Sequence, residues 1–343
     1  NDMKHKTFFW FFLPTGLAML MFIAFPIVSV VTQSLFTPHE AVLITVENCG
    51  PFGCKKETTI DQDATANLRA QSPLGKFVGT AIFTDRGHLA FSEVGDAWQN
   101  SDSIGTFFSA IYNLPFYRAM AFTLTFTFIS VPLLIVLGFV IALSVNSLHR
   151  HLKGLVIFFS LLPMIVAPLV GSLVLYWMVD SRGILGSLLQ YLANNPDLSM
   201  KASTGLTWIM LIVYGVWHSA PFAFIVFYAG LQTLPQDQME AAQIDGASRW
   251  EQVRYVVLPH IMPLVTFVAL IQLMDKFRVF EEIIGFNAEA HATSLSWMIL
   301  NDLGGETQLL SSAAATSLMT LVGVAILLSP VLVRTWRDFK EKT

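Results

Sequence analysis

Charge is scarce in this sequence. Only 13% of its 343 residues are Asp, Glu, Lys or Arg, against about 25% in a soluble globular domain. The net charge of -4 and the lack of any basic patch interleaved with aromatics exclude nucleic acid as a partner. Cysteine is nearly absent: Cys49 and Cys54 stand alone in Cys-Gly-Pro-Phe-Gly-Cys, too few ligands for a zinc site without nearby histidine. His149, His151, His218, His260 and His291 are scattered, with no HExxH or other ligand spacing, so no metal ligand is assigned. There is no Gly-x-x-x-x-Gly-Lys-Ser/Thr loop to cradle phosphates; the Gly-Lys at Gly75-Lys76 runs into Phe77. No nucleophile, base and orienting group can be assembled, which leaves an enzymatic role without support.

What fills the space is apolar: 54% of the residues are hydrophobic. A run of about 20 such residues, rising about 1.5 Å each, crosses a bilayer core of roughly 30 Å. Runs of that kind fall at about 7–35, 119–147, 155–179, 205–230, 260–285 and 313–334, predicting an all-α membrane protein of six transmembrane helices. The first is longer than a signal-peptide core of about 7–15 residues, and no small-x-small cleavage site follows, so it is expected to be retained as a span. Pro132, Pro163 and Pro168 lie within spans, tolerable where neighbouring helices or water satisfy the freed carbonyls. Trp10, Tyr117, Tyr176, Trp177 and Trp336 sit near span ends, where aromatic side chains anchor at the interface or pack against neighbours.

Basic residues orient the spans, because Lys and Arg in short loops stay cytoplasmic. Lys4 and Lys6, Arg150 and Lys153, and Arg334, Arg337, Lys340 and Lys342 fall on one side, whereas residues 283–312 carry three acidic residues and no Lys or Arg. Both termini and the 148–154 and 231–259 segments are therefore expected in the cytoplasm. Residues 36–114, with nine acidic and five basic residues, are expected outside as a small domain or docking loop too long for an ordinary connection. An oxidising compartment favours a disulfide between Cys49 and Cys54 over two free thiols. The expected division is 1–35 for the tail and first helix, 36–114 for the extracytoplasmic loop, and 115–343 for the core.

The 229–259 segment reads as two short helices with a hinge. Pro235 suits a first helical turn, Glu240, Ala241, Ala242 and Gln243 favour helix, and Gly246 can stop it in the left-handed conformation. Ser248-Arg-Trp-Glu251 matches a capping box, which restarts the helix. Leu258-Pro259 then leads back to the membrane.

Here the sequence resembles the permease subunits of binding-protein-dependent ABC importers, whose motif is Glu-Ala-Ala, three residues, Gly, nine residues, an aliphatic, one residue, Leu-Pro. Glu240, Ala241, Ala242, Gly246, Val256, Leu258 and Pro259 hold those positions, with Val256 where Ile is usual. Asp245 and Ala247 complete the Asp-Gly-Ala form of the sugar-uptake type. Trp217, Pro221, Phe222 and Ala229-Gly-Leu-Gln232 before the motif, and Phe277, Val279, Phe280 and Ile283 after it, extend the likeness over about 110–337.

The resemblance implies the MetI-like permease fold and coupling helices at about 235–257 that dock on a cytoplasmic ATPase dimer. ATP and Mg would be held by that ATPase and no cofactor by this chain. A second permease would complete the path, and an extracytoplasmic solute-binding protein would deliver a sugar or sugar-like solute. The basic C-terminal stretch resembles the first of the two sugar permeases, which implies a heterodimer; a homodimer stays open. An ion-driven secondary transporter is the competing reading.

The fifth span is charged, with Asp275, Lys276, Arg278, Glu281 and Glu282 in or at its end. A charge at a helix centre costs roughly 2.5–3.5 kcal/mol, so these cannot all face lipid. Asp275 is expected about 24 Å along the helix from Pro259. Asp275 and Arg278 are three apart, and Arg278 and Glu282 four apart, so these three are expected to pair along one face, leaving Lys276 to find a partner elsewhere. Asp275, Lys276, Arg278, Phe280 and Glu282 are thus candidates for the substrate path. A basic residue there would suit an anionic sugar derivative.

Overall fold

A computed structural model describes residues 2–50, 53–305 and 308–341; the side chains at 2–7, 47–50, 53–57, 334–335, 338–339 and 341 lie outside that description. Five helices are long and apolar enough to cross a membrane: Phe8–Gln33, Pro115–Asn146, Thr204–Gln232, Arg249–Phe277 and Leu310–Val333. Arg150–Ile165 and Pro168–Met178 are long and apolar enough only as a pair, and they meet at 95°, so that together they make at most a sixth span. Five of the six expected spans are therefore continuous helices, and the third is a bent pair where a single helix over 155–179 was expected. Pro168 causes this, since it disfavours helical backbone at Ala167 and can itself only start a new helix, which it does at the first turn.

Two further prolines leave a milder mark. The turns Leu20–Ala24 and Val253–Val257 are widened to the π form, in each case one residue before the residue preceding a proline, Pro26 or Pro259. Proline has no N–H to donate and crowds the carbonyl four residues back. At the second site the Leu258 N–H bonds Val253, five residues back, so the helix continues instead of breaking.

The chain divides into two compact units, residues 1–117 with 298–321, and 118–297 with 322–343. In the first, the segment after the first span folds into two antiparallel pairs and four short helices. Leu43–Gly50 pairs with Gly53–Ile60, and Phe36–Thr37 with Lys76–Phe77. Helices Gln62–Gln71, Ala81–Thr84, Phe91–Asn100 and Ile104–Tyr112 follow. The register sets Cys49 opposite Cys54, while their side chains, and so the expected disulfide, lie outside the described residues. Buried His88 fastens this segment to the start of the sixth span: its Nε2 lies 3.2 Å from the Ser312 carbonyl and 3.1 Å from Thr316 Oγ1, and Ser312 Oγ donates to Asp302 at 2.6 Å.

The second unit packs the second, fourth and fifth spans around Leu134, Phe224, Phe227 and Ile261, all fully buried. Helices approach closely where side chains are small. A Cβ on Gly138 would stand 2.6 Å from that of Ala223, so the second and fourth spans touch backbone to backbone, the packing available where lipid removes any hydrophobic drive between helices. Gly285 does the same against the second half of the broken span, where a Cβ would meet the Leu169 carbonyl at 2.4 Å.

Candidate functional site

The motif segment stands out from the second unit on a polar helix, Gln236–Ile244. Pro235 is the residue before the helix, one position earlier than expected. The helix is seated by Leu234 and Met239, which pack on the apolar core, and by Gln232 Nε2, which donates to Asn146 Oδ1 at 3.0 Å. Its end is a Schellman turn: Gly246 N–H bonds the Gln243 carbonyl at 3.1 Å and Ala247 N–H bonds that of Ala242 at 3.0 Å. Gly246 has φ +78°, and the space a Cβ would occupy there is open to 4 Å, so backbone conformation alone demands glycine.

Two residues later the expected capping box forms. Ser248 N–H donates to Glu251 Oε2 at 2.7 Å and Glu251 N–H to Ser248 Oγ at 3.4 Å. Where two short helices were expected, the second has no end of its own: from Arg249 it runs through the widened turn into the fifth span. Glu240, Ala241, Asp245 and Pro259 are exposed; Ala242, Ala247 and Leu258 are half-buried. Beside them Ile244 is 86% exposed and Trp250 70%. This apolar pair on a polar loop went unremarked in the sequence, although the isolated Ile between Gln243 and Asp245 was visible there.

The charged end of the fifth span departs from expectation. Its helix stops at Phe277, Arg278 turns with φ -97° and ψ 22°, and a short helix Glu281–Gly285 follows. An unbroken helix to 285 is therefore replaced by a reversal, and the face shared by Asp275, Arg278 and Glu282 does not form. Instead Lys276, 2% exposed, lies 3.6 Å from Glu282 Oε1 and 3.8 Å from Asp275 Oδ2. Its ammonium also stands 6.0 Å from the Phe126 ring centroid. The partner of Lys276 is thus six residues on, brought back by the break. Arg278 and Asp275 are exposed, Phe280 half-buried, and Arg278 has no ion pair among the described residues.

Two side chains of the fourth span cap the break in the third. His218 Nε2 donates to the Val166 carbonyl at 2.8 Å, and Tyr214 Oη donates to that of Pro168 at 3.0 Å. A bend of 95° frees carbonyls from their helical partners, and these two residues supply donors to two of them. His218 was visible in the sequence as a lone histidine in an apolar span. Its role needed the bend to be known. Past the break, Lys201 Nζ donates to Asp180 Oδ2 at 2.7 Å and sits 3.7 Å from the Tyr176 ring centroid; this bond holds the Asp180 carboxyl below the usual range.

Residues 103–336 match the family described as the binding-protein-dependent transport system inner membrane component. The chain belongs to this family. It is thereby a multi-pass inner-membrane transport component and not an enzyme. Over 183 residues it is 33% identical to the trehalose transport system permease protein SugA of Mycobacterium tuberculosis, covering 52% of this chain and 57% of that relative. The chain thus spans less than two thirds of that relative's length. Among solved structures, a chain of a bacterial ABC transporter involved in the import of the acidic polysaccharide alginate superposes with a TM-score of 0.60 at 21% identity, covering 81% of this chain and 97% of that one. A chain from the bacterial alginate ABC transporter in complex with an alginate pentasaccharide-bound periplasmic protein gives a TM-score of 0.58 at 21% identity, covering 71% and 86%. The fold is that of ABC permeases.

Proposed function

We propose that this chain is the permease subunit of an ATP-driven importer and forms half of the path for a sugar or sugar-like solute. The observation that carries this reading is the Gln236–Ile244 helix: it bears the family motif, ends on Gly246, and presents Glu240 and Ile244 outward. A short rigid helix with an exposed apolar residue, set on a continuous span, suits insertion into a groove on a cytoplasmic ATPase dimer that carries ATP and Mg. A second permease and an extracytoplasmic solute-binding protein complete the assembly. Both termini face the cytoplasm on the distribution of Lys and Arg, and residues 36–114 lie outside as a small domain or docking loop. There the opposed Cys49 and Cys54 form a disulfide; mass mapping without reductant should recover them linked, and two alkylatable thiols would refute it.

Family membership supports this against an ion-driven carrier, and the trehalose relative favours a sugar. Within the break of the fifth span, the exposed Asp275, Arg278 and half-buried Phe280 are the residues left to meet a solute. Lys276 is occupied by Glu282, so an anionic sugar would have to be met by Arg278 instead.

The test is gentle affinity purification of the chain from its native membrane, with mass spectrometry of what accompanies it. An ATPase with a phosphate loop and a second permease should be recovered. A chain that purifies alone, and whose uptake survives ATP depletion but collapses with the ion gradient, would overturn the proposal.

A further inference from the structure

Outside the motif loop and the spans, residues 91–112 carry exposed aromatic side chains, among them Phe91, Trp98 and Phe108. The helix Phe91–Asn100 carries Phe91, Val94 and Trp98 on one side and Glu93, Asp96 and Asn100 on the other. The next, Ile104–Tyr112, begins on a Ser103 capping box and aligns Ile104, Phe107, Phe108 and Ile111. Spacings of three, four and seven put each set on a single helix face. The Trp98 and Phe107 rings meet edge to face at 5.1 Å, which joins the two stripes into one apolar face. Trp98 is 70% exposed, Ile104 75% and Phe108 64%.

The position of this pair says what covers it. Tyr112 is three residues from Pro115, where the second span begins. At the other end, Tyr117 Oη donates to the Leu89 carbonyl at 2.9 Å, two residues before Phe91. Both ends of the segment are therefore pinned to the mouth of a membrane helix. Helices of 10 and 9 residues extend only about 15 Å from that mouth. Residues 87–117 contain three acidic residues, Glu93, Asp96 and Asp102, and no Lys or Arg, with Arg86 and Arg118 flanking them, so the pair itself brings no attraction to anionic headgroups and apolar insertion must hold its face down.

We propose that residues 91–112 form an amphipathic helical pair that lies in the membrane–water interface beside Pro115–Tyr117, where the second span begins, with Trp98, Ile104 and Phe108 inserted among uncharged or zwitterionic lipids. This does not depend on the transport reading. The test uses the full chain in phosphatidylcholine nanodiscs, with Cys49 and Cys54 replaced by serine and a nitroxide placed singly through Ile104→Cys, Phe108→Cys, Asp96→Cys or Ser109→Cys. Oxygen should relax the labels at 104 and 108 more than a nickel chelate does, with the order reversed at 96 and 109. Nickel reaching all four positions would overturn the proposal, as would labels at 104 and 108 shielded from both reagents, the sign of a protein cover. A second measurement leaves the cysteines in place: brominated phosphatidylcholine should quench the native chain more than its Trp98→Phe variant, and equal quenching would count against lipid contact.

Discussion

At Gly246 and at Arg278 the chain does the same thing: a helix ends, a few residues turn, and another helix starts. The forces differ. At Gly246 every element is local. A glycine accepts φ +78°, two backbone bonds close the old helix, and the Ser248–Glu251 box opens the new one, all in an exposed loop. At Arg278 no glycine or proline ends the helix. The reversal there is tied to burial: it folds Glu282 back onto Lys276, and Ser294 Oγ donates to the Val279 carbonyl from fifteen residues away. One break is a hinge built from its own sequence; the other is held by what it buries.

The contrast is sharpest if one partner of the buried pair is removed. Glu282→Ala should destabilise the protein by about 3–5 kcal/mol, the effect of leaving a buried charge alone, read as a loss of thermal stability in lipid. Lys276→Met with Glu282→Leu should recover most of that loss, and failure to do so would mean that the pair does not hold the break. Gly246→Val should cost less, about 1–2 kcal/mol for a side chain in the left-handed region, because the site has open space. Its larger effect should fall on coupling, with ATP hydrolysis in the assembled transporter no longer matched by uptake. Ser248→Ala should cost about 1 kcal/mol through loss of the cap, seen as earlier fraying of the 249–252 turn in hydrogen exchange.

The smallest effect should come from the half-buried pair past the third span. Lys201→Met removes the bond that lowers the Asp180 carboxyl. A depressed acid stabilises the fold above its unfolded pKa of about 3.9 and ceases to as pH falls through the folded value. The variant should thus differ slightly from the native chain at neutral pH and match it in acid.

The same division explains what could be read from sequence. Five continuous spans, the motif helix, its glycine stop and its capping box were legible, since apolar length and caps are properties of neighbouring residues. Pro163 and Pro168 marked the third span, but a 95° break depends on donors from Tyr214 and His218, some fifty residues away. The charges after Asp275 were conspicuous, and that Lys276 needed a partner off its own helix face followed from spacing. That the partner is Glu282 did not, because helical spacing presumes a helix, and burial had ended it. Likewise Leu258-Pro259 was expected to lead a second short helix back to the membrane, whereas a widened turn absorbs the proline and that helix and the fifth span are one.

That last feature has a mechanical consequence. From Arg249 to Phe277 the chain is a single rod of 29 residues, about 43 Å long at about 1.5 Å per residue. It starts two residues after the Gly246–Ala247 turn and ends at the Lys276–Glu282 lock, so the two breaks are the two ends of one lever. Tilting it by about 5° about one end carries the other through about 4 Å, on the scale of the gap between paired charges.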